Sequence, residues 1–411
     1  MKKPSPRLSE PALLEAVQRQ TFAFFWDGAE KFSLLARDRC TLTAAPANDL
    51  VAVGGSGFGI MAMIVAVERG WVTRKAATAR LARMLGCLAR ATCYHGAFPH
   101  FLHGKTGATI AFSRKDDGGD LVETSLLMMG LIAARQYFDK PAESGLRDRI
   151  TQLWEEVEWS WYTQGRDVLT WHWSPNNGFA LNHQIRGWNE TLITYVLAAA
   201  APRYSIEVKA YEKGFCDGGD YRNGKTYYGV TLPLGPNLGG PLFFAHYSFC
   251  GLDPHGLQDR HANYWQQNLA QVKINLTHCV KNPGSFKGYS ADCWGITASD
   301  DPDGYDAHAP GNDNGTISPT AALSSFPYAP EAAMRALRHF LKKPGLWGRY
   351  GFIDAFNETK GWCADTYLAI DQGPILVMIE NYRTGLLWKL FMSAPEVRRG
   401  LIKLGFTGPP V

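Results

Sequence analysis

The chain has 411 residues, enough for one large domain or two of average size. Apolar residues make up 45% and charged residues 19%, a balance that is typical of a globular protein and excludes general disorder. The 42 Lys and Arg nearly balance the 38 Asp and Glu without a long run of either sign, which argues against a nucleic-acid partner. No apolar run is long enough to cross a bilayer, so we expect no membrane segment.

The chain begins with MKKPSPRLSEPALLEAVQRQ, in which no apolar run follows the basic start. We therefore expect no secretory signal and a cytoplasmic location, or a periplasmic one if a leader has been removed. The eight cysteines form no CxxC pair and no zinc-like spacing, so we expect mostly buried thiols and no metal site.

Two kinds of helical segment alternate along the chain. Segments 57–67, 121–134 and 191–201 are apolar on nearly every side and must be enclosed by protein. Segments 75–90 and 147–161 each carry one apolar stripe, which is typical of outer helices. Further helices are predicted at 11–27, 241–249, 260–278, 330–342, 374–382 and 386–391, which brings the count near twelve.

Strand patterns are short, as at 225–232, and no βαβ succession occurs. An inner ring of apolar helices wrapped by an outer amphipathic ring predicts an all-α, (α/α)6 toroid that forms a single domain over residues 1–411. Two long loops at 217–240 and 299–316 are rich in Gly, Asp, Asn and Pro, and we expect them to line one mouth of the toroid.

A cluster of carboxylates precedes the apolar helix at 121–134, in the segment DDGGDLVETS that starts at Asp116. Capping explains one or two of these acids, because the free N–H groups and the dipole of a helix start favour negative charge. Capping explains Glu123 less well, since an unpaired carboxylate on a helix that is apolar all round is costly. We therefore predict a functional role for Glu123 or Asp120.

A second acid, Glu190, stands before the apolar helix at 191–201 in the motif IRGWNET. The alternative is a structural glutamate held by Arg186. The preceding loop at 171–179 reads WHWSPNNGF, and its aromatic and amide side chains are of the type that bind the faces and hydroxyls of sugars.

Two carboxylates at the mouths of different helices match the requirement of glycosidic cleavage, in which one acid protonates the departing oxygen and the other activates water or attacks the anomeric carbon. The segments at 287–300 and 362–383 add further residues of sugar-binding type, for which helix capping and surface ion pairs are the alternative. The predicted substrate-binding residues are Asp116, Trp173, Arg186, Trp188, Asn189, His246, Tyr289, Trp294, Asp300, Tyr367, Asp371, Gln372 and Tyr382.

Three other patterns are rejected as ligand sites. The glycines at 54–59 are spaced GxGxG, and no acid follows at the distance that a dinucleotide loop requires. His95, His100 and His103 lack the i, i+4 pairing of a metal site. The aspartates at 301, 303 and 306 lack a full calcium loop.

Over nearly its whole length the chain resembles the bacterial glucoamylase-like family that includes β-1,2-glucanases. The matching segments are FAFFW from Phe22, GFGIMAMIVAVERGW from Gly57, ETSLLMMGLIAARQYF from Glu123, GWNETLITYVLA from Gly187, FKGYSADCWGITASD from Phe286, DNGTISPTAALSSFPYAPE from Asp313, WGRYGFIDAFN from Trp347 and IDQGPILVMIENYRTGLLW from Ile370.

The resemblance implies an (α/α)6 toroid and cofactor-free cleavage or transfer at glucosidic bonds, with a glucan or glucooligosaccharide as substrate. It also implies that Glu190 is the proton donor and that Asp120 and Glu123 are base-side candidates. The chain departs from the family pattern at PLFFAHYSFCGLDPHGL from Pro241, where the family has a His-rich, Asp-bearing element, so subsite preference does not transfer.

Several outcomes remain open at this point. An endo-acting β-1,2-glucan hydrolase is favoured over an exo-acting oligosaccharide hydrolase or a retaining transglycosylase. The stereochemical outcome depends on the separation of the carboxyl groups, which is about 5 to 5.5 Å for retention and roughly 6.5 to 9.5 Å for inversion. A non-catalytic sugar-binding protein is the alternative of another class, and the presence of both Glu123 and Glu190 disfavours it.

Overall fold

The computed structural model describes residues 3–42, 49–409 and 411, and these residues are predominantly helical. The α-helices in this part of the chain are α1 Glu10–Trp26, α2 Val53–Glu68, α3 Arg74–Leu88, α4 Leu121–Tyr137, α5 Ser144–Glu155, α6 Leu192–Ala200, α7 Tyr264–Lys281, α8 Pro319–Leu323, α9 Pro330–Phe340, α10 Ala369–Thr384, α11 Leu386–Met392 and α12 Pro395–Lys403.

Four helices, α2, α4, α6 and α10, are buried along most of their length, as their apolar sequences require. Helices α2 and α4 approach each other through Gly57 and Gly130. A Cβ atom built at Gly57 would lie 2.2 Å from the carbonyl oxygen of Leu126, and one at Gly130 would lie 2.2 Å from that of Gly57. Glycine at both positions therefore allows the two backbones to touch.

The helices that bury only one face lie outside this set. Helix α5 buries Ile150, Leu153 and Trp154 and exposes charged side chains on its other face. The Thr73 side chain caps the start of α3, and Asn263 caps α7 in the same way. None of the described helices is long and apolar enough to cross a membrane.

Fifteen short strands occur in the described residues and form eight antiparallel pairings, of which five join neighbouring segments and three join segments far apart in sequence. They are β1 Arg39–Thr41, β2 Leu50–Ala52, β3 Phe101–His103, β4 Thr109–Ile110, β5 Gly119–Asp120, β6 His172–Trp173, β7 Thr226–Tyr227, β8 Val230–Thr231, β9 Ala298–Asp301, β10 Gly304–Ala307, β11 Trp347–Gly348, β12 Gly351–Phe352, β13 Phe356–Asn357, β14 Trp362–Cys363 and β15 Thr366–Leu368. Strands β2, β5 and β15 lead directly into α2, α4 and α10, and their partners β3, β6 and β1 fix where these helices begin.

Most of the predicted helices are present, with four differences. The segment at 147–161 ends as an α-helix at Glu155 and continues as the 3-10 turn Trp159–Thr163. The segment at 241–249 forms two 3-10 turns, Leu242–Ala245 and Ser248–Cys250, rather than an α-helix. Helices α8 and α12 were not predicted; α8 is only five residues long, whereas α12 has an amphipathic pattern that was detectable.

The two long loops differ in their relation to the site described below. The loop at 217–240 contains the β7–β8 hairpin and packs on α7, and none of its residues lines the cavity described below. The loop at 299–316 contains β10, and its Tyr305 side chain does line the cavity.

Candidate active site

A cavity of about 400 Å³ lies where the four buried helices begin. It is lined by Gly55 in the first turn of α2, Glu123 in the first turn of α4, Ile370 in the first turn of α10, and Glu190 just before α6. The N-terminal end of each helix carries a partial positive charge, which offsets part of the cost of placing carboxyl groups at these positions.

Glu123 is 8% exposed and contacts the cavity from the first turn of α4. Its Oε2 atom accepts a hydrogen bond of 2.6 Å from the backbone N–H of Gly54, at the start of α2. A Cβ atom at position 54 would lie 2.8 Å from the same oxygen, so glycine is needed there for this contact. Burial and the neighbouring Asp120 raise the pKa of Glu123 to about 7, against the opposing effect of His100.

Asp120 caps α4 and lies beneath the cavity wall. Its Oδ1 atom accepts hydrogen bonds from the backbone N–H groups of Val122 and Glu123, and its Oδ2 atom lies 3.1 Å from Nδ1 of His100 and 3.6 Å from Nε2 of His172. Its side chain is fully buried, so both oxygens are occupied by protein groups. Burial opposes ionisation, but the hydrogen bond and charge of His100 outweigh it and lower the pKa of Asp120.

His100 brings positive charge to this group of acids. Burial disfavours its charged form, but Glu123 and Asp120 together raise the pKa of His100 to about 9. Sequence reasoning rejected His100 as a metal ligand and left it as a core or sugar-contacting histidine, and the structure places it in the cavity lining. The histidine contacts acids twenty or more residues away, and only the fold brings them together.

Asp116 and His172 complete the acidic group, with 3.3 Å between Oδ2 of Asp116 and Nε2 of His172. Burial, together with the charge of Asp120, raises the pKa of Asp116 to about 7, and burial lowers the pKa of His172. Asp116 was predicted to bind substrate, but the structure places it among these protein groups, outside the cavity lining.

Glu190 reaches the same cavity from the turn that precedes α6. The hydroxyl of Ser248 donates a hydrogen bond to its backbone carbonyl and so holds the turn. Arg186 does not hold the carboxylate, because its hydrogen bonds go to Gln184 and to backbone carbonyls. Burial, with the charges of Asp120 and Glu123, raises the pKa of Glu190 to about 7.

Aromatic side chains form much of the remaining wall. They are Phe101, Phe112, Trp171, Phe243, Tyr247 and Tyr305. The rings of Phe243 and Tyr247 stack with their centroids 4.9 Å apart, and both belong to the segment that departs from the family pattern. Flat apolar surfaces beside polar groups are suited to the C–H faces of sugar rings.

The cavity adjoins an open groove of about 610 Å³, which shares Arg39 and Tyr305 with it. Asp300, a predicted substrate-binding residue, lines this groove and pairs with Arg39 at 3.2 Å. The other wall carries Trp362 and Thr366, so the groove also combines an aromatic surface with charged and hydroxyl groups.

Asp371 was predicted to bind substrate but is 2% exposed and faces Asp354. One buried oxygen of each group, Oδ1 of Asp354 and Oδ2 of Asp371, has no hydrogen-bond partner among the described residues, and two buried carboxyl groups so placed favour the protonated form. Burial and the neighbouring Asp354 raise the pKa of Asp371, and burial with Asp300 raises the pKa of Asp354 to about 7. Sequence reasoning did not detect Asp354.

Five predicted substrate-binding side chains are buried in the protein, between 0% and 2% exposed, and none lines the cavity. They are Trp188, His246, Trp294, Tyr367 and Gln372. Trp188 packs on Tyr264, and Nε2 of His246 lies 3.0 Å from the hydroxyl of Ser325.

Five more predicted contacts lie outside the cavity lining and serve other purposes. Trp173 packs beside Tyr94, Asn189 accepts hydrogen bonds from Thr191, and Arg186 is exposed. Tyr289 donates to Asp313, and Tyr382 donates to Glu10. The structure therefore brings together Glu123 and Glu190 with Asp120 beneath them. Among the aromatic residues around them, Trp171 belongs to the predicted sugar-binding loop at 171–179 and Tyr305 to the predicted mouth loop at 299–316.

Comparison with known proteins identifies the family. Residues 182–395 match the family model "Glycoamylase", described as "Putative glucoamylase". The chain belongs to this glucoamylase-like family. The matched region begins eight residues before Glu190 and includes Tyr247, Tyr305 and Asp371.

Three similar proteins extend the match to nearly the whole chain. A Bacteroides uniformis structure named as a putative glucoamylase is 54% identical, covers 98% of this chain and 99% of its own, and superposes with a TM-score of 0.96. The endo-β-1,2-glucanase of Chitinophaga pinensis, in complex with sophorotriose and glucose, is 50% identical over 98% of this chain and 100% of its own, with a TM-score of 0.96.

The third is an exo β-1,2-glucooligosaccharide sophorohydrolase (non-reducing end) from Parabacteroides distasonis, which is 47% identical over 97% of this chain. This chain spans 58% of the length of that relative. The glucoamylase-like relatives therefore include hydrolases with endo and exo names, both similar to the chain through the part that contains Glu123 and Glu190.

Proposed function

We propose that this chain is a glycoside hydrolase that cleaves β-1,2-linked glucan by acid–base catalysis. The observation that carries the proposal is that Glu123 and Glu190, from the starts of two different helices, line one cavity and both have a pKa near 7. Two carboxyl groups of this kind are able to share one proton at neutral pH, which supplies one acid and one base for glycosidic cleavage.

The surroundings of the two carboxyls assign their roles. Glu123 receives a hydrogen bond from Gly54 and lies near the positively charged His100, and both effects favour its ionised form. The pKa of Glu190 is raised by burial and by the charges of two acids, which favour its protonated form. Because both groups have a pKa near 7, the assignment comes from these neighbours and from the family resemblance, and we propose Glu190 as the proton donor and Glu123 as the base that activates water.

Asp120 acts through its neighbours. Both of its oxygens are engaged by protein groups, so it is a positioning residue that holds His100 and the first turn of α4. Of the two base candidates that the sequence left open, we therefore favour Glu123, which lines the cavity, over Asp120.

The expected substrate is a β-1,2-glucan chain that is cut internally. The similarity to the Chitinophaga pinensis endo-β-1,2-glucanase extends over both chains at full length. The cavity also continues past Arg39 and Tyr305 into the open groove, which offers space for sugar units on one side of the cleaved bond. Exo action is the second candidate, because the Parabacteroides distasonis sophorohydrolase is nearly as similar.

We infer the architecture of the domain from the same helices. Four buried helices begin at one cavity, and amphipathic helices such as α5 and α9 bury one face against the core. This arrangement supports one (α/α)6 toroid in a single domain, with the cavity at one mouth.

The test is to incubate the protein with linear β-1,2-glucan, cyclic β-1,2-glucan and short oligosaccharides, and to follow the products by chromatography. Endo action predicts cleavage of the cyclic polymer, which has no chain ends, and an early fall in the length of the linear one. Release of sophorose alone, with no attack on the cyclic glucan, would establish exo action instead. If no substrate is cleaved beyond the level of a Glu190→Gln preparation, the hydrolase proposal is wrong. Anomer-resolved NMR of the first product separates inversion from retention.

A further inference from the structure

A second group of chemically active side chains lies outside the active-site cavity. Cys293, His339 and Glu358 come from three segments that are distant in sequence: the loop before Trp294, the last turn of α9 and the turn between β13 and β14. One potential ligand atom of each residue lies within 4.8 Å of those of the other two. None of the three lines the cavity or its adjoining groove.

The surrounding backbone makes room for this convergence. The Glu358 side chain lies over Gly288, where a Cβ atom would be only 2.4 Å from its carboxyl carbon. Gly288 also has a φ of +88°, which strains residues that carry a side chain. Glycine at 288 thus permits Glu358 to turn toward Cys293 and His339.

His339 has an unsatisfied nitrogen. Its Nε2 atom has no contact with solvent and no hydrogen-bond partner among the described residues. Burial, assisted by the charge of Lys343, lowers the pKa of His339, so the imidazole is neutral and has a lone pair available. The Nε2 atom is therefore free to accept a ligand without breaking a hydrogen bond within the described residues.

We propose that Cys293, His339 and Glu358 bind one Zn²⁺ ion. Sulfur, imidazole nitrogen and carboxylate oxygen are the donors that zinc takes in proteins. Zinc bonds of about 2.0 to 2.3 Å place tetrahedral ligands roughly 3.3 to 3.8 Å apart, so shifts of about 1 Å in these side chains complete the set. A fourth position remains for water.

The binding step balances in charge. The Cys293 thiol loses its proton to solvent and the neutral His339 donates its lone pair, so the thiolate and the carboxylate together neutralise the ion. Burial raises the pKa of Cys293 to about 12, so proton release makes binding stronger as pH rises. The ammonium group of Lys343, which pairs with Glu358, competes with zinc and must turn away.

The ion would add to polar contacts that already join these three parts of the fold, among them the Arg335–Asp292 ion pair and the hydrogen bond from the Lys287 N–H to the Thr359 hydroxyl. One of these parts, the β13–β14 hairpin, continues into Trp362 and Cys363 on the wall of the groove. Zinc at this position therefore stabilises the β13–β14 hairpin, and with it the groove wall, from outside the groove and without contacting a sugar. The sequence patterns did not predict such a site because its ligands are 46 and 19 residues apart.

The test uses tag-free, chelator-treated protein titrated with ZnCl₂ alone in a calorimeter, with elemental analysis of stoichiometry. We expect one Zn²⁺ per chain and at least tenfold weaker binding for Cys293→Ser and for His339→Gln. Lys343→Met should bind more tightly, because it removes the competing cation. Cys87→Ser on α3 and His255→Gln are matched controls, which change the same residue types elsewhere and should leave the affinity for zinc unchanged.

Co²⁺ provides a second readout that does not depend on affinity alone. A thiolate-to-cobalt absorption band is expected in the wild-type chain and should be missing in Cys293→Ser. The proposal is overturned if zinc does not bind, if the controls weaken binding as much as the ligand variants do, or if the cobalt band persists without Cys293. Circular dichroism of each variant identifies any that fails to fold, and the Lys343→Met result then decides.

Discussion

Replacement of Glu190 by glutamine is the sharpest perturbation of the proposed chemistry. Glutamine has nearly the same shape but no acidic proton. The hydrogen bond that holds this turn runs from the Ser248 hydroxyl to the backbone carbonyl of residue 190, so it does not depend on the side chain there. We therefore expect a folded protein that still binds sugar but does not protonate the leaving oxygen.

The magnitude follows from the role. A positioned general acid contributes about 10² to 10⁴ in rate, which is about 3 to 5 kcal/mol of activation free energy at about 1.36 kcal/mol per tenfold. Because the pKa of Glu190 is about 7, roughly half of the wild-type molecules carry the proton at pH 7. The loss of kcat that is measured at pH 7 is thus about twofold smaller than the loss relative to an enzyme whose acid is fully protonated.

The assay compares kcat on a β-1,2-glucooligosaccharide with kcat on the same sugar attached to a nitrophenyl group. Nitrophenolate leaves without protonation, so Glu190→Gln should recover much of its activity on the aryl substrate, whereas Glu123→Gln should not. Glu212→Gln, which makes the same change on a partly exposed residue, is the control and should behave as wild type. A Glu190→Gln enzyme that keeps more than about a tenth of wild-type kcat on the natural sugar would refute the acid assignment.

Three further outcomes are expected. The pH profile of kcat/KM should be bell-shaped and centred near 7. Protonation of Glu123 removes the base below that pH, and ionisation of Glu190 removes the acid above it. A profile that is flat through neutrality would contradict catalysis by this pair. His100→Gln should raise the pKa of Glu123 and move the acidic limb to higher pH, with little change in the alkaline limb. In urea unfolding, Gly57→Ala should lower the free energy of unfolding by about 1 to 3 kcal/mol, because the added Cβ meets the α4 backbone. The control Gly86→Ala lies on α3, where space is open, and should raise the free energy of unfolding by about 0.4 to 1 kcal/mol.

The buried helices could be predicted because the distribution of apolar residues in their sequences is compatible with only one environment. A segment that is apolar on every face must be enclosed, and α2, α4 and α6 are enclosed along their described lengths. The segment at 241–249 was harder because apolar residues fill a 3-10 turn as readily as an α-helix. Periodicity over so few residues does not separate the two.

The carboxylates of the site were predictable for a related reason. Glu123 lies in the first turn of an apolar helix and Glu190 lies just before another, and a buried carboxylate at such a position is costly unless it has a partner or a function. The aromatic wall was not predictable, because Trp188 and Tyr367 fill the core with the same side chains that Trp171 and Tyr247 present to the cavity. Composition records that an aromatic ring is present but not which way it faces.

The hydrogen bond from Gly54 joins the Glu123 side chain on α4 to the start of α2, and α2 packs closely on α4 through Gly57 and Gly130. The base therefore has almost no freedom to follow a differently shaped sugar. The acid is carried by a turn before α6, so accommodation of new linkages or leaving groups should arise by variation around residues 185–190. Directed evolution of specificity would find more productive changes there than along α4.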